Sequence, residues 1–504
     1  MSPLSPPLPR HASALGRAGA AMLAVLALVS CASLDTSPIN TPSSAIGEAP
    51  TPGLFADDED GETLVGLTFS GGGTRAAAFS FGVLQAFAET EVPTASGPAR
   101  SLLDRVDFVS GVSGGSVTAA YFGLKGRAAL DDFRERFLLK NAEEDLNTNP
   151  LNPATLAKVM GGGANDRSNL PRWLDRNLFD GATFRSILAR RHPTVWINAS
   201  DIANHTPFVF EPGTLLALCS DLADVPVADA VAASAAVPVI FAPVTLETYP
   251  DRCAYEMPRW VRWASEQAGA PALLKGYARA LLAYRDTKQV RYLRLLDGGL
   301  TDNFGLAGLT IARAAADTPY APLSPRQAAR LKRALFLVVN SGRASDTEWT
   351  RTQTGPTVAP LLMAVVDTGI DASVRQGFDA FQLTLARWQQ DLIEWRCRLS
   401  PAEVARYVGS TKGWNCRDVK FLSGEVAFDQ LPEKKEKLQA IATRFVLPAD
   451  EVDLLIQAGR EATRCNPVVN GFLRTSTPPG AAARPVARLR KDEERPSGGL
   501  VKSN

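Results

Sequence analysis

Twice between Thr63 and Leu124 a short apolar run gives way to a glycine-rich turn and then to a helical pattern. The first unit is Thr63–Phe69, Ser70-Gly-Gly-Gly-Thr-Arg75-Ala76 and the helical run Thr74–Ala88. The second is Val106–Ser110, Gly111-Val-Ser113-Gly-Gly115 and Ser116–Leu124. Strand, tight turn and helix in succession make the unit of parallel sheets, because a parallel neighbour is reached only by a crossover. Further apolar, β-branched runs continue the alternation at Thr194–Ala199, Pro207–Phe210, Tyr292–Leu296 and Ala334–Val339. The pattern predicts an α/β fold with a mostly parallel central sheet covered by helices on both faces. Residues 346–474 read as a mostly helical extension packed on that domain. From Thr475 onward, Pro, Gly and alternating charges predict a disordered tail over 475–504.

The two turns carry chemistry as well as topology. In the second, Gly111, Gly114 and Gly115 surround Ser113 at a strand-to-helix turn, the setting of a nucleophile elbow. In the first, three consecutive glycines let backbone N–H groups converge, and the helix start adds partial positive charge. Such a loop cradles a phosphate or an oxyanion. The Walker ending G-K-[ST] and the dinucleotide pattern G-x-G-x-x-G are both missing, since position 76 is Ala. An oxyanion hole of Gly71, Gly72, Gly73 and Arg75 serving Ser113 fits better. Arg75 either supports the developing negative charge or ties the loop to a carboxylate.

A third motif, Leu295-Leu296-Asp297-Gly298-Gly299, places an Asp at the end of an apolar strand. The chain has three histidines, His11, His192 and His205, and none follows Asp297. The Ser…Asp…His order of α/β-hydrolases therefore cannot be met. His192 precedes a Pro at a strand entry and His205 falls in a hairpin-like loop, which suits structural or surface roles. The economical alternative is a Ser–Asp dyad in which Asp297 takes the Ser113 proton directly. A free Asp, with a pKa of about 3.9, is a weak base. Burial beside apolar side chains raises that value.

A glycine loop, G-x-S-x-G and D-G-G in this order closely resemble the patatin-like phospholipase family. The likeness continues through Val195-Trp-Ile-Asn-Ala199, Ala230-Val-Ala-Ala-Ser234-Ala-Ala-Val-Pro238 and Asp302-Asn303-Phe-Gly305. It covers about residues 63–345. Ser70 stands where plant members have Asp, and Ala76 where they have Gly. The resemblance implies a three-layer α/β sandwich with Ser113 as nucleophile, Asp297 as base, and Gly72 and Gly73 N–H as oxyanion donors. It further implies a serine acyl hydrolase acting on lipid esters, most simply glycerophospholipids, without metal or organic cofactor. An acyltransferase to an alcohol or amine would use the same residues, and a non-catalytic envelope scaffold would have no need to keep them.

The N-terminus reads as an export signal. Arg10 and Arg17 precede an uncharged stretch, Ala18–Leu34, shorter than the roughly 20 residues that span a bilayer. Leu28-Val29-Ser30-Cys31 resembles a bacterial lipobox, so residues 1–30 are expected to be removed and Cys31 lipidated; a plain signal peptide with an incidental Cys is the alternative. Residues 31–62 follow as a flexible linker rich in Pro, Ser, Thr and Asp. Ala32 after Cys31 is not the acidic residue of inner-membrane retention, which points to the outer membrane and attachment there through the lipid. With 54 Lys and Arg against 53 Asp and Glu, the net charge of +1 gives no field for nucleic acid or for an anionic membrane; protein partners are not legible.

In an oxidising compartment the five remaining cysteines are expected to pair. Nearest neighbours give Cys219–Cys253 and Cys397–Cys416, with Cys465 free. No CxxC or HExxH is present, which argues against zinc. The aromatic, basic stretch 255–288 is either an interfacial lid or an amphipathic helix pair. Phe378, Phe381, Leu385, Trp388, Leu392 and Trp395 recur at helical spacing, a face for core or for a membrane or partner. Gly161-Gly-Gly163 has no strand before it and reads as a plain loop.

Overall fold

The main sheet has eight strands, and their order explains where the motifs meet. In the computed structural model, which describes residues 34–43, 61–92, 99–147, 149, 152–190, 192–343, 348–351 and 353–476, they are β1 (Thr63–Phe69), β2 (Phe108–Val112), β3 (Thr194–Asp201), β4 (Thr206–Phe210), β5 (Val244–Glu247), β6 (Tyr292–Asp297), β7 (Arg333–Asn340) and β8 (Lys420–Ala427). The order is β8-β7-β1-β2-β3-β6-β5, with β4 also paired to β3. The run from β8 to β3 is parallel, whereas β4, β6 and β5 join antiparallel. The helices that frame the site are α1 (Gly73–Glu89), α2 (Gly114–Lys125), α3 (Pro153–Met160), α4 (Arg259–Glu266), α5 (Ala272–Ala283), α6 (Gly299–Asp302), α7 (Val358–Arg396) and α8 (Ala449–Cys465).

Alternation along the strands builds two cores, one on each face of the sheet. Val65, Leu67 and Phe69 of β1, with Leu335, Leu337 and Val339 of β7, point into the larger core under α1 and α2. Leu64, Phe336 and Val338 point the other way, into a core closed by Phe381, Leu385, Trp388 and Leu392 of α7. The helical aromatic face read from the sequence is thus buried core. Two faces of the same strands both apolar mean a sheet sandwiched between helix layers.

The region 346–474 is mostly helical, but it also lends β8 to the sheet edge, a strand the sequence reading did not mark. Its α8 crosses α1 so closely that a Cβ on Gly82 would meet the Ile456 carbonyl oxygen at 2.1 Å. The last helix, Pro467–Ser476, reaches just into the segment expected to be disordered; residues 477–504 lie outside the described part. The stretch 255–288 forms α4 and α5 as a packed pair, with Trp260 stacked on Tyr277 and the Tyr277 hydroxyl hydrogen-bonded with Thr214. Gly161 and Gly162 form a turn, and Gly163 opens a short parallel ribbon, Gly163–Asn165 against Val239–Phe241. Both nearest-neighbour disulfides are present, and Cys465 is free and exposed.

The expected flexible linker needs correction. Residues 34–43 lie along the edge of the sheet. Ile39 N–H donates to the Thr245 carbonyl at 3.0 Å, and Asn40 is buried. The Asn40 amide donates to the Glu247 carbonyl and accepts from the Glu247 N–H, both at 2.9 Å. Asp35 N–H donates to Asp166 at 3.2 Å. A side chain that satisfies a strand edge on both its donor and acceptor sides pins the backbone that carries it. The signal segment and Cys31 lie outside the described residues.

Candidate active site

Position 113 is held in a conformation that few L-residues adopt. Ser113 has φ 50° and ψ −124°, between the last residue of β2 and the first of α2. Strain of this kind costs about 1–3 kcal/mol and persists only where the surroundings fix it. Here the Ser113 N–H donates to Ser234 Oγ at 2.8 Å, and Ser116 Oγ donates to the Ser113 carbonyl at 2.5 Å. Ser234 Oγ in turn donates to the Asn198 carbonyl at 2.6 Å, joining the elbow to β3. Close packing needs the elbow glycines. A Cβ on Gly111 would meet the Ser116 α-carbon at 2.6 Å, one on Gly114 the Gly73 carbonyl oxygen at 1.9 Å, and one on Gly115 the Phe69 and Ser70 carbonyls at 2.5 Å.

Sheet register brings Asp297 to this turn. Along β3, Asn198 pairs with Val112 of β2, and the next residue, Ala199, pairs with Asp297 of β6. Strand β4 covers the opposite edge of β3 from Ile197 to Asp201, so β2 and β6 share one edge and meet end to end. The residue after Val112 is Ser113. Its side chain lies close enough to the Asp297 carboxylate to favour the ionised form, and that carboxylate accepts the Gly299 N–H at 2.8 Å. Asp297 is buried, and burial pushes its pKa from 3.8 up to about 6 against the pull of the Gly299 N–H and the Ser113 side chain. A Cβ on Gly298 would meet the Asn198 carbonyl oxygen at 2.3 Å, and one on Gly299 would crowd Asn303 Oδ1 at 2.9 Å.

The glycine loop lies over the serine, but its parts divide the work differently from the sequence reading. Gly71 N–H donates to Asn303 Oδ1 at 3.2 Å and to the Asn303 carbonyl at 3.3 Å, so it is not a free oxyanion donor. A Cβ on Gly71 would reach within 3.3 Å of the Ser113 Cβ. Gly72 and Gly73 have φ 140° and 59°, values that glycine adopts at no steric cost. No acceptor among the described residues engages either amide. Arg75 forms no ion pair with a carboxylate among the described residues. Its Nε donates to the Ser341 carbonyl at 3.0 Å and its Nη1 to the Ile441 carbonyl at 2.7 Å. Burial, then the nearby Arg343 cation, lower its pKa to about 10.

Three positioning residues stand within the family-like segments of the sequence, where the sequence reading gives them no role. Asn303 occupies the Gly71 amide, Ser234 the Ser113 amide, and Asn198 Nδ2 donates to Ser110 Oγ and the Gly111 carbonyl. Their signal was a polar residue inside an otherwise apolar segment. Asp302, also buried, accepts the Ala307 N–H at 2.6 Å and fixes the turn that carries Asn303. His192 sits at the entry to β3 and His205 in the β3–β4 turn with φ 55°. Among the described residues no group of three His, Cys, Asp or Glu is arranged to hold a metal ion, and no helix is long and apolar enough to cross a membrane.

By family match the protein is a lipid acyl hydrolase. Residues 67–310 match the family model of patatin-like phospholipases, and this part of the chain is a patatin-like phospholipase domain. Human GIVD cytosolic phospholipase A2 is similar in structure over 88% of this chain and 69% of its own, at 12% sequence identity and a TM-score of 0.40. No curated protein matches the chain in sequence.

Proposed function

We propose that the protein is an exported, lipid-anchored serine hydrolase that cleaves glycerophospholipid esters with a Ser113–Asp297 dyad. The juxtaposition of Ser113 with the buried Asp297 carboxylate, at adjacent register positions along β3, carries this reading. Ser113 Oγ attacks the ester carbonyl carbon as its proton passes to Asp297. The carbonyl oxygen becomes an oxyanion held by the Gly72 and Gly73 amides at the start of α1. Collapse breaks the bond to the alcohol, which leaves with the proton from Asp297. Water, deprotonated by the same carboxylate, then attacks the acyl-enzyme and releases the fatty acid.

Two features support a dyad without histidine. Asp297 near pKa 6 is a far better base than a solvated aspartate and is still largely ionised at neutral pH. Gly299 N–H on Asp297 keeps the carboxylate aimed at the serine, as a third residue does in a triad. Export and lipidation rest on the lipobox-like Leu28-Val29-Ser30-Cys31, with the outer membrane as destination.

The test is fatty-acid release from mixed-chain phosphatidylethanolamine vesicles by the wild type and Ser113→Ala, every product identified by mass. Ser113-dependent free fatty acid is expected. A Ser113-dependent transfer product would replace the hydrolase by an acyltransferase, and equal products from both proteins would overturn the dyad. Mass spectrometry of the mature N-terminus, with diacylglyceryl on Cys31 expected, tests the anchor.

A further inference from the structure

Two exposed apolar segments lie side by side at the rim of the site. The end of α3 presents Leu156 and Met160, 56% and 85% exposed. Three residues beyond Met160, Gly163 pairs with Val239, and the Val239–Phe241 strand presents Val239 and Ile240, 47% and 42% exposed. Val239 has φ 73°, a strained value for a β-branched residue that costs about 1–3 kcal/mol. This strand begins three residues after the dyad's own support, since Asp297 N–H donates to the Ala236 carbonyl at 2.9 Å. Over 152–164 and 235–246 the sequence has one charged residue, Lys158. Large side chains turned to solvent in an uncharged setting, beside a site for lipid, need a partner.

The docked N-terminal segment ends at the same place. Asp35 N–H is bound to Asp166, one residue past the Gly163–Asn165 strand, and a Cβ on Gly161 would lie 3.3 Å from Leu34 Cδ1. Cys31 is four residues before Asp35, a leash of at most about 14 Å. A lipid on Cys31 therefore brings one side of the domain to the bilayer, and that side is the one bearing Leu156, Met160, Val239 and Ile240.

We propose that this rim is the surface on which the enzyme rests on a phospholipid bilayer, its apolar side chains entering the headgroup–acyl boundary while the short leash from Cys31 sets the orientation. The occupant is lipid because the chain leads there and the site behind the rim belongs to a lipid acyl hydrolase. The leash rests on the lipidation proposed above; the rim does not. The two acyl chains of a diacylglyceryl group suffice for attachment, and the rim sets how the domain faces the bilayer.

The test uses the mature chain, beginning at position 31 and carrying Cys31→Ser, so that neither leader nor lipid is present, with vesicles of phosphatidylethanolamine and phosphatidylglycerol. Co-flotation, vesicle-lipid hydrolysis and hydrolysis of a water-soluble short-chain ester are compared for this parent, Met160→Glu, Ile240→Glu and Leu188→Glu. Leu188, also exposed, belongs to the helix Phe184–Leu188 and not to the rim. Met160→Glu and Ile240→Glu are expected to lose flotation about tenfold each, with vesicle hydrolysis falling in step and the soluble ester cleaved as before. Leu188→Glu is expected to match the parent. Unchanged flotation in both rim variants, or an equal loss in Leu188→Glu, overturns the proposal. A parent that floats through the rim yet cleaves neither ester retires the hydrolase reading and leaves the docking surface standing.

Discussion

Ser113 reaches Asp297 across the junction where β2 and β6 meet end to end on one edge of β3. Nothing between the two strands is needed to bring them together, because consecutive residues of β3 hold both ends. Ser113→Ala and Asp297→Asn are therefore expected to fold normally and to lose ester hydrolysis by about 10³-fold or more. Circular dichroism checks the fold and single-turnover assays the loss. A well-folded variant of either kind that retains more than a few per cent of activity rejects the dyad.

The raised pKa of Asp297 predicts how activity depends on pH. The base must be ionised, so kcat/KM should climb about tenfold per pH unit below about 6 and level off above it. A profile that is flat from pH 4.5 to 7.5 would show that Asp297 is not the base.

Stability runs the other way. A carboxyl whose folded pKa lies above its unfolded value supports the fold below about pH 4 and loses that support as pH rises through about 6. The shift from 3.8 to about 6 corresponds to about 3 kcal/mol. Asp297→Asn, which removes the buried charge, should gain melting temperature over the wild type at pH 7–8. The gap should close near pH 4. Thermal melts across that range measure it, and a gap of constant size would mean that the charge is not what burial penalises.

Much of this was legible in the sequence because it is local. Strand, glycine turn and helix are written within single windows, so β1 with α1 and β2 with α2 emerge from periodicity and composition. Nearest-neighbour cysteine pairing also held. What stayed hidden depends on residues far apart in the chain. Which glycine amide remains free is decided by Asn303, 232 positions from Gly71. The docking of residues 34–43 depends on Asn40 meeting β5, and composition alone reads that stretch as a tether. Strand β8, Lys-Phe-Leu-Ser-Gly-Glu-Val-Ala, has no run of β-branched residues and becomes a strand only by pairing with β7.

The contact between loop and elbow predicts a severe glycine substitution. Gly114→Ala would place a methyl group 1.9 Å from the Gly73 carbonyl oxygen, and backbone on both sides leaves nothing flexible to yield. The glycine loop must shift, and its donors leave the oxyanion position. A fall in kcat of about 10²-fold or more is expected. Gly276→Ala in α5, with open space around its position, is the control and should leave kcat unchanged and the fold slightly more stable. Equal behaviour of the two variants would mean that the loop tolerates displacement.

Arg75 separates a charge that acts on the reaction from one that holds the loop. Its two hydrogen bonds go to the carbonyls of Ser341, just after β7, and of Ile441, in the segment before α8. Three residues further on, the Arg444 carbonyl accepts the Thr74 N–H at 2.7 Å. The glycine loop is thus braced by chain well beyond residues 67–310. Arg75→Met would leave two buried carbonyls without their donor, each bond to a charged group being worth about 1.5–3 kcal/mol. The expected result is a melting temperature lower by several degrees together with reduced kcat. Arg75→Lys, able to reach one carbonyl, should recover part of both. An Arg75→Met variant with unchanged melting temperature but kcat reduced as far as in Ser113→Ala would instead make the guanidinium a direct partner of the oxyanion.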